Sequence, residues 1–146
     1  YHPCHNCIDN CIHTFAGARL RLECATIMEK QGCPEPTGQA KITSAYNLPC
    51  DYVIHTVGPI VQCELTNEHC KMLKSCYNSC LELAMKNKID SIAFCCISTG
   101  VFGFPKQEAA EIAVETVRNF LKNNRIKVIF NVFGDDNYAI YKRLLS

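Results

Sequence analysis

From Asp9 to about Lys30, apolar residues recur at three- and four-residue steps through Ile12, Phe15, Ala16, Leu20 and Cys24. This spacing predicts an amphipathic helix with a bend at Gly17. Gly32, Pro34, Pro36 and Gly38 then punctuate a loop. Ala40 to Thr43 and Tyr52 to Thr56 are short β-type runs, the second closed by Gly58-Pro59. Leu65, Met72, Leu73, Cys76, Cys80, Leu83 and Ala84 mark a long amphipathic helix. Ser91 to Ile97 follows as an unbroken apolar run, the pattern of a strand buried on both faces. Pro105 stands where the next helix starts, and helical periodicity continues to Leu121. Val128 to Phe133 reads as another buried strand, after which Asp135 or Asp136 can cap a last helix carrying Ile140, Tyr141, Leu144 and Leu145. Helices alternating with apolar strands predict a three-layer α/β domain around a mostly buried sheet.

Composition narrows this picture. A chain of 146 residues, 48% hydrophobic, supports one domain over 1–146. Its 15 basic and 14 acidic residues give a net charge of +1, without the electrostatic footprint of a nucleic-acid binder. Twelve cysteines would suit a disulfide scaffold. Against that, Cys24, Cys76, Cys80, Cys95 and Cys96 fall inside apolar periodic segments, where free cysteine packs as a small hydrophobe. A reducing compartment fits better. No apolar run approaches the roughly 18 residues of a membrane span. The expectation is a soluble, cytoplasmic monomer. The chain starts at Tyr1 without a methionine, which suggests a piece of a longer protein.

In an open α/β sheet, ligands sit beyond the carboxyl ends of the strands, which draws attention to the loops after Phe94 and Phe133. Ile97 to Pro105, I-S-T-G-V-F-G-F-P, passes two small hydroxyl residues and two glycines before entering a helix. Glycines let the backbone approach a ligand, and N–H groups near a helix start favour phosphate oxygens. The bland alternative is a connection needing Gly100 and Gly103 for turn geometry only. Phe102 and Phe104 favour the first reading, because aromatic side chains in such a loop can wall a ligand's ring. No Gly-Lys-Ser/Thr follows, and the G-x-G-x-x-G fingerprint is absent, so nucleotide triphosphate hydrolysis and hydride transfer lose support.

The other concentration of chemistry is Cys4 to His13, C-H-N-C-I-D-N-C-I-H, at a helix start. Thiolate, imidazole and carboxylate are ligand types that zinc takes. A cysteine-rich helix start without metal is the plain alternative. Asp9 could serve as a general base or as N-cap of a helix beginning at Asn10. His13, Tyr46 and His55 read as structural.

The segments C-I-D-N-C-I-H-T-F-A-G, G-Q-A-K-I-T-S-A-Y-N-L-P, Y-V-I-H-T-V-G-P, C-I-S-T-G-V-F-G-F-P and V-I-F-N-V-F, in this order, resemble a macrodomain, the ADP-ribose-binding fold. The stretch from His5 to Asn10 is similar to the zinc-dependent branch of protein ADP-ribosyl hydrolases. The resemblance implies a three-layer α/β/α fold with a mixed central sheet whose first strands are missing from this chain. It implies that ADP-ribose is held by Cys7, Ile8, Asp9 and Asn10 on one side. Ser98, Thr99, Gly100, Val101, Phe102 and Gly103 would hold it on the other. From their place at the end of the last strand, Phe133 and Asn131 can touch the distal ribose or adenine, and core packing is the equal alternative for Phe133. The resemblance also implies Zn2+ on His5 and Cys7, with a further ligand before Tyr1, and Asp9 as the catalytic residue. The implied activity is removal of mono-ADP-ribose from modified protein side chains. A reader that binds ADP-ribose without cutting it is the alternative.

Overall fold

Gly17 divides the first helical pattern into two helices in the computed structural model, which describes residues 7–146. Its φ of 87° lies in the left-handed region that a Cβ disfavours, so α1 (Ile8–Ala16) stops and α2 (Ala18–Gln31) starts on a new axis. Helical spacing does not carry across that break. His13, Ala16 and Leu20 point inward, while Phe15, expected on the apolar face, is 73% exposed. α2 ends at Gly32 in the αL conformation, whose N–H bonds the Met28 carbonyl at 2.9 Å.

β1 (Ala40–Ser44) and β2 (Tyr52–Thr56) pair antiparallel, in a register running from Ala40 opposite Thr56 to Ser44 opposite Tyr52. α3 (Asn67–Lys86) opens on a reciprocal capping box between Thr66 and His69. β3 (Ser91–Phe94) leads through a loop to α4 (Lys106–Leu121), and β4 (Lys127–Phe130) then pairs parallel with β3, Ser91 opposite Lys127. α5 (Asp135–Leu145) closes the order. The sheet is thus mixed, and among the described residues it comes as two separate two-stranded pieces. α2 and α3 cover β1 from opposite sides, giving the three layers.

Three expectations change. β3 and β4 stop at Phe94 and Phe130, and along each strand buried or half-buried positions alternate with exposed ones. Ile129 is 43% exposed. An unbroken apolar run permits burial on both faces, but among the described residues only one is covered. Asp135 and Asp136 stand in the first turn of α5, whose N-cap is Gly134. Asp9 likewise stands inside the first turn of α1, with Cys7 as N-cap. In those places the carboxylates complement the helix dipole without capping.

The core joins Leu73, Tyr77, Cys80, Leu81 and Ala84 of α3 to Ala109, Ala110, Ala113, Val114 and Val117 of α4. The small α4 residues let the two helices pack closely, and Phe94, Phe104 and Tyr141 fill the space between them and β3. Ten described cysteines carry free thiols, and Cys76 and Cys80 are buried as small hydrophobes. No described helix is long and apolar enough to cross a membrane.

Candidate functional site

The loop between β3 and α4 rests on two buried tyrosines. Burial raises the phenols of Tyr77 and Tyr141 above their ordinary range, and each hydroxyl feels the other, so both stay neutral beneath the loop. The Thr99 hydroxyl donates to the Cys96 carbonyl at 3.0 Å. The Gly103 N–H bonds the Gly100 carbonyl at 3.1 Å, and the Phe104 N–H bonds the Ser98 carbonyl at 3.0 Å. These contacts curl the loop around Ser98.

Ser98 adopts a φ of 65°, a conformation that non-glycine residues rarely take. Its hydroxyl is buried and has no hydrogen-bond partner. Among the described residues, the N–H groups of Ser98, Gly100, Val101 and Phe102 donate to no protein acceptor. Several unused donors around one strained turn form a cradle for an anion with several oxygens. Of these groups the Ser98 hydroxyl is the buried one, and turn geometry alone does not account for its lacking a partner.

The aromatic residues divide differently from expectation. Phe104 is 2% exposed and belongs to the core, so it cannot wall a ligand. The chain must re-enter the core there to begin α4, and Phe104 anchors that entry. Phe102 is half-buried, and its carbonyl accepts from the Val61 N–H at 2.8 Å. Val101 is 85% exposed and Phe133 is 94% exposed. The Phe133 backbone N–H reaches the Cys96 thiol at the root of the loop, which places the segment after β4 beside it.

The N-terminal candidates form a second group. Cys7 is half-buried, Ile8 is 49% exposed, Asp9 is exposed and Asn10 half-buried. Asp9 Oδ1 lies 3.7 Å from His13 Nε2, one turn along α1. His13 is packed against the sheet, its ring 6.4 Å from that of His55. His55 Nε2 stands 2.9 Å from Thr43 Oγ1 and 4.0 Å from Cys24 Sγ. Tyr46 donates to Glu23 at 2.8 Å and lies under the Arg19 guanidinium. These histidines and Tyr46 serve packing, as their sequence surroundings suggested. Asp9 engages His13, with no hydrogen bond or ion pair to the glycine-rich loop among the described residues.

The expected zinc ligands are His5 and Cys7, and the described residues include only the second. His5 lies outside them, and no three His, Cys, Asp or Glu side chains among them group as a metal site. Cys7 is engaged in a disulfide, a bond that must open before its sulfur can serve as a thiolate ligand.

Sequence reasoning passed over the residues that shape the loop from below. Gly58 and Pro59 were read as a strand end, yet both are buried, and a Cβ on Gly58 would strike the Ser98 hydroxyl. Tyr77 and Tyr141 looked like ordinary helix-face residues. Their apolar spacing carried no sign of the hydroxyl contacts.

A glycine-rich turn with unused N–H donors, set at the carboxyl ends of two parallel strands, defines an α/β domain whose loop can offer hydrogen bonds to an anion. The chain belongs to the Macro domain family, which it matches over residues 2–113. It is 60% identical over 148 residues to a protein-ADP-ribose hydrolase of Treponema medium, an alignment covering 100% of this chain and 57% of that protein. It is 54% identical over 145 residues to a protein-ADP-ribose hydrolase of Staphylococcus aureus strain MSSA476, covering 97% of this chain and 54% of that protein. The chain therefore spans little more than half the length of these curated relatives. Among solved structures, an Oceanobacillus iheyensis macrodomain with ADP superposes with a TM-score of 0.90 at 38% identity, covering 96% of this chain and 75% of that one.

Proposed function

We propose that this chain binds ADP-ribose in the cradle of Ser98 to Gly103, and that the protein it forms hydrolyses the bond between mono-ADP-ribose and modified protein side chains. The observation that carries this is Ser98, held at a φ of 65° with a buried, unpartnered hydroxyl among backbone N–H groups that have no protein acceptor. A diphosphate offers oxygens to several such donors at once. Val101 and Phe133, exposed beside the cradle, offer apolar surface to the ribose and adenine. The relatives named protein-ADP-ribose hydrolases supply the reaction class.

In that reaction water adds to the ribose carbon, the bond to the side chain breaks, and free ADP-ribose leaves. Asp9 is the exposed carboxylate of the N-terminal group and serves to orient a ribose hydroxyl or to take a proton from the attacking water. Cys7, Ile8 and Asn10 would line the ligand from the same side. Zn2+ on His5 and Cys7 is a proposed cofactor, which would supply Lewis-acid polarisation when bound.

The test is release of ADP-ribose from a mono-ADP-ribosylated protein, alongside calorimetry with free ADP-ribose. Asp9→Ala is expected to slow release by roughly 100-fold or more while leaving ADP-ribose affinity within a few-fold. Release at the wild-type rate removes Asp9 from catalysis, and binding without release in the wild-type protein makes it a reader. Metal analysis of the wild-type protein and of His5→Ala decides zinc, since equal zinc in both would exclude His5 as a ligand.

A further inference from the structure

Residues 57–61 leave β2 and pass beneath the glycine-rich loop as a strap. Gly58 needs to be glycine for room. A Cβ there would collide with Ser98 Oγ and stand 2.8 Å from Ile97 Cγ2. At the far end of the loop, the Val61 N–H donates to the Phe102 carbonyl at 2.8 Å. A Cβ on Gly103, whose φ is 69°, would come within 2.7 Å of the Val61 carbonyl oxygen. The strap thus meets the loop where it enters and again where it leaves.

α3 holds the strap from the other side. The Val57 carbonyl accepts from the Gly38 N–H at 3.0 Å and from the Cys76 thiol at 3.4 Å. Ser75 and Ser79 both donate to the Gly38 carbonyl, at 2.9 and 2.7 Å. A left-handed serine is costly by itself and persists only where its surroundings over-determine it. Close packing of Gly58 against Ser98, with the Val61 bond as the second fixed point, supplies that constraint.

We propose that Gly58 and Val61 are positioning residues for anion binding, a rigid template that holds Ser98 in its left-handed turn and aims the loop N–H groups at the diphosphate. The inference rests on the reading that this loop binds ADP-ribose. A template fixed before the ligand arrives spares the binding energy otherwise spent on ordering the loop.

The experiment compares wild type, Gly58→Ala, Ser98→Gly and the double substitution by amide NMR and by calorimetry with ADP-ribose. Gly58→Ala is expected to shift the amides of Ile97 to Phe104 while leaving those of β1 and α5 in place, and to weaken ADP-ribose binding roughly tenfold or more. Ser98→Gly removes the hydroxyl that the new methyl would meet but leaves the contact with Ile97 Cγ2, so adding Gly58→Ala to it should cost several-fold less than it costs the wild type. This non-additivity is a readout that general destabilisation does not produce, and it remains available if Gly58→Ala alone folds poorly. Equal losses in both backgrounds, or a Gly58→Ala protein with unmoved loop amides and wild-type affinity, overturns the proposal. Loop amides that move as expected in a wild-type chain that ignores ADP-ribose would uphold the template for the loop and refute the ligand reading.

Discussion

Phe104 is where ligand-wall and core-anchor readings give opposite results. Its side chain is 2% exposed and lies in the cluster that joins α3, α4 and β3. A phenylalanine buried to this degree removes about 200 Å² from water, roughly 5 kcal/mol at about 25 cal/mol per Å². Phe→Ala substitutions in cores cost about 3–5 kcal/mol, since the neighbours collapse only partly into the space left behind. Phe104→Ala should therefore lose about 4 kcal/mol, a large share of the roughly 5–15 kcal/mol available to a domain. At about 3–4 °C per kcal/mol for a chain of this size, the melting temperature should fall by about 12–16 °C. Urea unfolding followed by circular dichroism measures the loss. ADP-ribose affinity, taken at a temperature where the variant remains folded, should fall far less than its stability. Phe104→Leu, which keeps most of the volume, should cost less than about 1.5 kcal/mol. A Phe104→Ala protein within about 1 kcal/mol of wild type that has lost ADP-ribose would refute the core assignment.

Two further outcomes follow from titratable groups. Burial lowers the His55 imidazole pKa, and the neighbouring His13 lowers it further against weaker opposition from Asp9 and Glu23. The unfolded chain therefore binds a proton that the folded state resists, so stability is full above about pH 6.5 and falls as pH drops towards the lowered folded value. His55→Gln should flatten this part of the stability–pH curve, and an unchanged curve in urea melts at pH 5.5 and 7.5 would rule His55 out as its source. Among the thiols, burial pushes Cys80 up to about 12 and raises Cys76 and Cys95 as well. Ellman's reagent at pH 8 should react quickly with exposed Cys11, Cys33 and Cys63 and reach Cys76 and Cys80 only on unfolding. Modification of Cys80 in the native protein at the exposed rate would contradict its burial.

Periodicity was enough to locate the described helices and strands, except that α1 and α2 read as one bent helix, because element type depends on which residues recur locally. It also drew attention to Ile97 through Pro105, since hydroxyl residues and glycines between a strand and a helix have few uses apart from turns and ligands. Which side of an element faces the core was less legible. Phe15 has the right spacing for an inward position, but the axis changes at Gly17 and leaves it exposed. Ser91 to Ile97 is apolar enough for two-sided burial, yet among the described residues only one side is covered.

The sequence by itself determined the order of elements, the family and the glycine-rich loop proposed to receive the ligand, all carried by local spacing and by motifs in fixed order. Only the tertiary structure decided that Phe104 is a core anchor and that the strap at Gly58 and Val61 packs against the glycine-rich loop. Each of these depends on contact between segments distant along the chain. Gly58 meets Ser98 across forty positions, and no periodicity in either segment records that the other will lie against it.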